Sequence, residues 1–384
     1  MKIAYIGDFI NYGKTLQTSG TPIVILLSFR EDVSSIDVYC PKENENKEEF
    51  ELPNKVKIIS CYEYDNAISI FKLLKIPWDN YDKVIFNLLP TGFGEGILAN
   101  ITALMLPLLG TKILRRTQIE VIYHNSVFTN DVKKLGYDSP LDKIKTFFLG
   151  ILERSIFKNV QTFVLLETYK NRISQFIGKN KVNAINAKYL EAITTVYLNN
   201  SLDLEKITHN HNSVQTILMH GFWGPQKNLD FALSTLRKLR KNGKNFKLIL
   251  SGGINHHFKE YENNFKLMIK SQGDIIDKYL GFIKEREIMG LFLSVDLIIL
   301  PYNTPGGHSG VLEQAMFFEV PTISFDFPEY KEQSGGSTNV KLTSIDCFSK
   351  TIDEQLIDLN GFDIICIKEK LLEAQFNLSA LLQL

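Results

Sequence analysis

The stretch DLIILPYNTPGGHSGVLEQAM, residues 296–316, carries the reading on which the fold turns. Residues 297–300 are a short, continuous apolar run, the pattern of a strand buried on both faces, and Pro301 ends it. A loop with two adjacent glycines follows. Ser309 then stands at the N-cap position of a helix over 310–318, with Glu313 inside the first turn or just beyond it. Strand, glycine loop and helix in this order make one unit of an open α/β sheet, which binds ligands at the C-terminal ends of its strands. The helix start offers unpaired N–H groups and the positive end of a dipole to an anion. Gly306, Gly307 and Gly310 leave room for a diphosphate to approach the backbone. The same residues equally describe an ordinary loop and cap.

Working outward, the alternation of short apolar runs with longer helical periods recurs along the chain. Strands are expected at 2–6, 23–27, 36–39, 56–59, 83–87, 120–123 and 162–166, with helices at 64–74, 96–109, 140–156 and 169–176. A polar stretch at 198–214 reads as a linker. Strands then resume at 216–219, 246–251, 275–280, 297–300 and 322–325, with helices at 229–242, 261–272, 284–294, 310–318 and 349–359. A last amphipathic helix is expected near 367–382. This is an α/β chain of two doubly wound parallel domains, 1–198 and 214–365, followed by a C-terminal helix over 366–384. A length of 384 residues agrees, being more than one core normally supports.

Composition excludes some classes. With 44% hydrophobic and 22% charged residues the chain is globular rather than disordered. Its 43 basic and 43 acidic residues cancel, so no global field draws it to nucleic acid. Cys40, Cys61, Cys347 and Cys366 lack metal-ligand spacing, so no structural zinc is expected and the thiols are read as reduced. The opening MKIAYIGDF lacks the apolar core of a signal peptide, and a cytoplasmic location is expected. The most apolar stretch, 97–114, is broken by Asn100, Thr102, Pro107 and Lys112, and reads as a buried helix and turn rather than a membrane span.

Three further turns line the same expected edge of the second sheet. HGFWGPQKN (220–228) puts Gly221, Lys227 and Asn228 between a strand and a helix, where a phosphate approaches a Rossmann unit. Ser251-Gly252-Gly253 reads best as a tight turn. Gly281, Phe282 and Ile283 form either a base-holding turn or a plain one. In the first domain, Gly13-Lys14-Thr15 fails the phosphate-loop pattern because Gly7 is one residue out of register, and a flexible interdomain loop fits better. His124 ends a strand in IYHN, where it either bonds a sugar hydroxyl or sits satisfied in the core.

Taken together, these motifs resemble retaining glycosyltransferases of family 4, a GT-B family, most fully over 216–330. The shared pattern is a glycine turn and lysine before the first helix (Gly221, Lys227, Asn228), the Gly281-Phe282 turn, and a closing helix with Glu313-Gln-Ala-Met followed by EVPTI. Gly20 and His124 fall in the family's expected places in the first domain. The resemblance implies two Rossmann-like domains facing across a cleft, a nucleotide-diphosphate sugar as donor, and a glycan, lipid-linked or small-molecule acceptor. It implies catalytic roles for Lys227, Glu313 and His124: charge on the leaving phosphate, the donor ribose and the transferring sugar. It assigns donor contacts to Gly20, Gly221, Asn228, Phe282, Ile283, Gly306, Gly307, His308, Ser309, Gly310 and Val311, with no metal or other cofactor. Peripheral contact with the inner membrane face is a further implication, through the helix at 97–109 with Lys112, Arg115 and Arg116. A helix packed on its own sheet is preferred there. Two departures stand out. Pro305 occupies the place of the first glutamate of the family's E-x7-E motif, and Phe222 that of an arginine. They leave open a catalytically inactive nucleotide-sugar binder or partner subunit, or a non-transferase such as a sugar-nucleotide epimerase.

Overall fold

The computed structural model describes residues 1–9, 20–42, 51–89, 92–94, 96–113, 117–129, 139–185, 188–199, 206–207, 214–254, 258–305, 307–356, 365–366, 369–370 and 372–374. These residues form two compact units. One holds those up to Thr194 and those from Glu373 onward, and the other holds Thr195 to Leu372.

In the first unit, β1 (Lys2–Ile6), β2 (Ser35–Pro41), β3 (Val56–Tyr62), β4 (Lys83–Leu88), β5 (Gln118–Tyr123), β6 (Gln161–Val164) and β7 (Val182–Ala184) form one sheet. The order is β3-β2-β1-β4-β5-β6-β7, parallel throughout, so it reverses at the β1/β4 boundary. β4 is buried along its whole length, as a central parallel strand covered on both faces must be. The helices are α1 (Gly20–Ser28), α2 (Ala67–Phe71), α3 (Ile97–Ile113), α4 (Pro140–Asn159), α5 (Glu167–Ile177) and α6 (Leu190–Leu198), the last carrying the chain past Thr194. One core joins Phe86 and Val121 of the sheet to Ala103, Phe157 and Ile173 of the helices.

The strand expected at 23–27 is instead part of α1. All nine residues of this helix are buried, so it has no polar face and shows no helical period. Pro22 was the available signal, because proline is tolerated in a first helical turn and disrupts a central strand. The helix expected at 64–74 divides into α2 and a 3₁₀ turn, Lys72–Lys75. β7 and α6 are additions to the sequence reading. Residues 10–19, with Gly13, Lys14 and Thr15, lie outside the described residues.

The chain enters the second unit with β8 (Lys206–Ile207), inside the stretch read as linker. The main sheet comprises β9 (Thr216–His220), β10 (Lys247–Ser251), β11 (Lys278–Tyr279), β12 (Leu297–Leu300), β13 (Thr322–Phe325) and β14 (Val340–Thr343). Its order is β11-β10-β9-β12-β13-β14, again parallel, with the reversal between β9 and β12. β15 (Ile365–Cys366) pairs antiparallel with β8. The helices are α7 (Leu229–Lys241), α8 (Lys259–Ser271), α9 (Glu285–Phe292), α10 (Gly310–Phe317), α11 (Pro328–Ser334) and α12 (Phe348–Gln355). α7 shows why such segments fold as they do. Leu229, Ala232, Leu233, Leu236 and Leu239 recur at helical spacing and are buried, and Gly243, at φ +87, follows its end. The strand expected at 275–280 is reduced to β11, and α11 and β14 were not anticipated. Of the helix expected over 366–384, residues 369–370 and 372–374 are helical, and most of the rest lies outside the described residues. Lys370 donates to the carbonyls of Met316 (3.0 Å) and Phe317 (2.6 Å), closing the last turn of α10 where a cation complements the helix dipole. Among the described residues no helix is long and apolar enough to cross a membrane.

Candidate functional site

In the second unit, the chain leaves β9 and β12 at the point where strand order reverses, the expected place for a ligand in such a sheet. Three glycines shape the loops there. Gly221 (φ +124) follows β9, Gly252 (φ +112) follows β10 and Gly281 (φ +66) follows β11. Their backbones lie against one another: the Gly221 N–H donates to the Ser251 carbonyl (3.2 Å), and the Gly252 N–H donates to the Gly281 carbonyl (2.6 Å). A Cβ on Gly252 would collide with the Gly221 carbonyl oxygen. The Ser251–Gly253 turn therefore sets the path of the Gly221 loop, a role its sequence did not show. Trp223, whose N–H donates to the Gly253 carbonyl (2.8 Å), is buried against Phe265 and anchors the loop to the core.

Lys227 ends a 3₁₀ turn, Pro225–Lys227, and Asn228 follows in the left-handed region (φ +52), which asparagine tolerates better than most residues. The Lys227 ammonium lies 3.8 Å over the Tyr302 ring. A Cβ on Gly221 would stand 3.0 Å from Nζ of Lys227 and 3.4 Å from Cγ2 of Val311, so these three residues meet at one spot. Burial pushes the Lys227 pKa down to about 7. The ring supplies a cation–π attraction without a negative charge. Among the described residues no carboxylate pairs with this lysine. His220 sits beside it, with Nδ1 2.7 Å from Oγ of Ser251; burial, then the Lys227 charge, pushes its pKa down to about 3, so the ring is neutral.

The loop after β12 is tied to the same turn. The Asn303 N–H donates to the Gln226 carbonyl (3.0 Å), and the Tyr302 hydroxyl donates to the His220 carbonyl (3.4 Å). Gly307 takes φ +119, while Gly306 lies outside the described residues. Ser309 caps α10: its Oγ accepts from the Leu312 N–H at 3.3 Å. Gln333 holds both backbone groups of Ser309, accepting from its N–H (3.2 Å) and donating to its carbonyl (2.8 Å). Gly310 and Val311 thus head a helix whose N-cap is fixed in place, and the N–H groups of a first turn have no partners within their own helix. Glu313 is fully buried, with its carboxylate 2.9 Å from Nε2 of His308. Phe282 is 57% exposed and Ile283 half-buried beside Gly281. The Pro305 carbonyl accepts from the Tyr330 hydroxyl (3.4 Å), and Phe222 is half-buried.

In the first unit, the residues named from sequence also gather at the reversal point. His124 is buried, with Nε2 2.6 Å from Oδ1 of Asn87, and the Asn87 amide donates to Oδ1 of Asp8 (2.7 Å). With the Asn87 nitrogen committed to Asp8, its oxygen accepts and Nε2 of His124 carries the proton. Gly20 begins α1 directly against Asp8, where a Cβ would collide with the Asp8 carbonyl oxygen. Sequence reasoning missed Asp8 and Asn87. For Asn87 the available signal was a polar residue inside the otherwise apolar run VIFNLL, residues 84–89. Glu153 of α4 braces the loop after His124, accepting from the Tyr123 hydroxyl (2.8 Å), the Ser126 hydroxyl (2.5 Å) and the Val127 N–H (3.1 Å). Burial lifts its pKa to about 7, opposed by those hydrogen bonds.

Known proteins share this architecture. Residues 203–354 match the family model of glycosyl transferases group 1. No curated protein sequence matches the chain. Among solved structures, sucrose-phosphate synthase from Thermosynechococcus elongatus superimposes with a TM-score of 0.66 at 13% identity, over 99% of this chain and 94% of that one. Anabaena HepE in complex with UDP-glucose gives 0.59 at 13% identity, over 100% and 99% of the two chains. WaaG, a glycosyltransferase involved in lipopolysaccharide biosynthesis, gives 0.57 at 11%, over 98% and 95%. The chain as a whole thus has the two-domain GT-B fold of glycosyltransferases, and its second unit carries the match to glycosyl transferases group 1.

Proposed function

We propose that this protein is a glycosyltransferase that moves a sugar from a nucleoside-diphosphate sugar to a glycan, lipid-linked or small-molecule acceptor, with retention of configuration. The observation that carries the reading is the half-buried Lys227 ammonium, set beside Gly221 and Val311 with no carboxylate partner among the described residues. When the sugar departs, negative charge builds on the leaving diphosphate, and prepositioned donors stabilise it better than mobile water does. Lys227, protonated once the diphosphate is bound, supplies a full charge, and the N–H groups at Gly310 and Val311 supply the end of the α10 dipole. In this scheme those groups do the work without a metal. Phe282, exposed beside Gly281, offers an apolar face to the base. Glu313 is assigned to the ribose, which reaches the carboxylate once the His308 ring turns aside. In the first unit, His124 is assigned to sugar hydroxyls, with its proton placed by Asn87.

The complex of HepE with UDP-glucose makes UDP-sugars the donors to try first. The test is release of UDP from a panel of UDP-sugars, with and without candidate acceptors. Acceptor-dependent release by the wild type, lowered about 100-fold or more in Lys227→Ala, is the expected result. Wild-type turnover in Lys227→Ala would remove the role assigned to this residue. Donor consumption without any acceptor would instead favour a hydrolase or epimerase.

A further inference from the structure

Lys227 stands where a charged side chain is costly, and it has a neighbour to which the donor chemistry gives no part. An ammonium drawn out of water is ordinarily held by a carboxylate. Among the described residues this one has none, and it lies instead over the face of Tyr302, with Nζ 3.8 Å from the ring centroid. Burial holds the Tyr302 hydroxyl above the ordinary phenol range, so the ring carries no charge of its own.

The ring is fixed from several sides. Tyr302 is buried, its hydroxyl donates to the His220 carbonyl at 3.4 Å, and the ring of Tyr330 meets it edge to face with centroids 6.4 Å apart. Tyr330 is itself buried and pinned, its hydroxyl donating to the Pro305 carbonyl. The residue after Tyr302 ties the platform to the lysine's own turn. The Asn303 N–H donates to the Gln226 carbonyl (3.0 Å) and its side-chain amide to the Pro225 carbonyl (3.4 Å). Ring and lysine backbone therefore belong to one clamped unit, and a long, flexible side chain is ordered before any ligand arrives. A carboxylate in this place would hold the cation harder, but it would repel an incoming diphosphate. An aromatic face attracts the cation through its quadrupole and sets no net negative charge against the phosphates.

We propose that Tyr302 is a positioning residue of the donor site, its ring holding the Lys227 ammonium beside Gly221 and Val311 in readiness for a diphosphate. What position 302 needs is the electron-rich face, and the hydroxyl is secondary. The inference rests on the diphosphate role proposed for Lys227 and extends it to the group that makes an unpaired, half-buried lysine usable.

The experiment is calorimetric titration of the full chain with UDP, comparing the wild type with Tyr302→Phe, Tyr302→Leu, Lys227→Ala and the double variant Tyr302→Leu/Lys227→Ala. Tyr302→Phe keeps the face and should retain affinity to within about twofold, whereas Tyr302→Leu should bind about fivefold or more weakly. The double variant should match Lys227→Ala, because the ring acts only through the lysine. Leucine also leaves part of the tyrosine volume unfilled, so a ring-fluorinated phenylalanine at position 302 supplies the second comparison. It keeps the shape of phenylalanine while withdrawing charge from the face, and should bind UDP more weakly than Tyr302→Phe. A fluorinated variant that binds as tightly as Tyr302→Phe overturns the proposal. So does a Tyr302→Leu loss that persists undiminished in the Lys227→Ala background, the mark of a residue that only packs. Equal UDP affinity in the wild type and Lys227→Ala, or no binding by the wild type, removes the donor reading itself and the proposal with it.

Discussion

Two side chains, Lys227 and Asn87, set the chemistry proposed for the two units. A lysine held down to about 7 by burial is only partly charged at neutral pH, and a bound diphosphate would favour its charged form. Binding a nucleotide sugar should therefore draw a proton onto Lys227. The sign follows: affinity is highest below pH 7 and falls as pH rises through about 7 and the free lysine loses its proton. Calorimetric titration with UDP-glucose in buffers of different ionisation enthalpy should show proton uptake near pH 7 to 8, absent in Lys227→Ala. Equal binding heats in all buffers would count against this. Asn87 acts through His124, whose Nε2 it receives at 2.6 Å. Replacing Asn87 by leucine should lower kcat about tenfold or more while leaving donor KM nearly unchanged, and should alter the pH–rate profile, because the imidazole loses its fixed proton position. A change confined to stability would reduce Asn87 to a packing residue.

Glycine turns and strand ends are the elements that build the site, and their cost is measurable. Gly252 and Gly243 share a positive φ, but a Cβ on Gly252 would strike the Gly221 carbonyl while Gly243 has open space around it. Gly243→Ala should cost about 1 kcal/mol, the ordinary penalty of a left-handed alanine. Gly252→Ala should cost more, about 2 kcal/mol or above, and weaken donor binding as well. Denaturant titration of the two variants checks the order. The comparison also shows what sequence reveals. β12, its loop and α10 were legible from one contiguous stretch because apolar run, glycines and N-cap serine are local signals. The contact between Gly252 and Gly221 joins two strands, and nothing local in Ser-Gly-Gly announces it. The chain Asp8–Asn87–His124 was hidden for the same reason, its members being 79 and 37 residues apart. α1 was misread because a helix buried on every side has lost the period by which helices are recognised.

Across the whole molecule, the two parallel sheets both reverse strand order where the chemistry-bearing residues gather, at β1/β4 and at β9/β12. This recurrence is a property of topology, and Phe222 and Pro305 stand in the loops that follow β9 and β12. If the diphosphate site lies in the second unit, UDP should protect backbone amides there selectively. Hydrogen exchange should slow in 220–228, 251–254, 281–283 and 307–313. Protection centred on the first unit would reverse the assignment. The most direct measurement is the affinity of UDP-glucose for the wild type and for Lys227→Ala, determined side by side at neutral pH on proteins of matched melting temperature. The account predicts saturable binding by the wild type and a loss of about tenfold or more in the variant, the scale of a charge-assisted contact to phosphate. Equal affinity in the two proteins would contradict it.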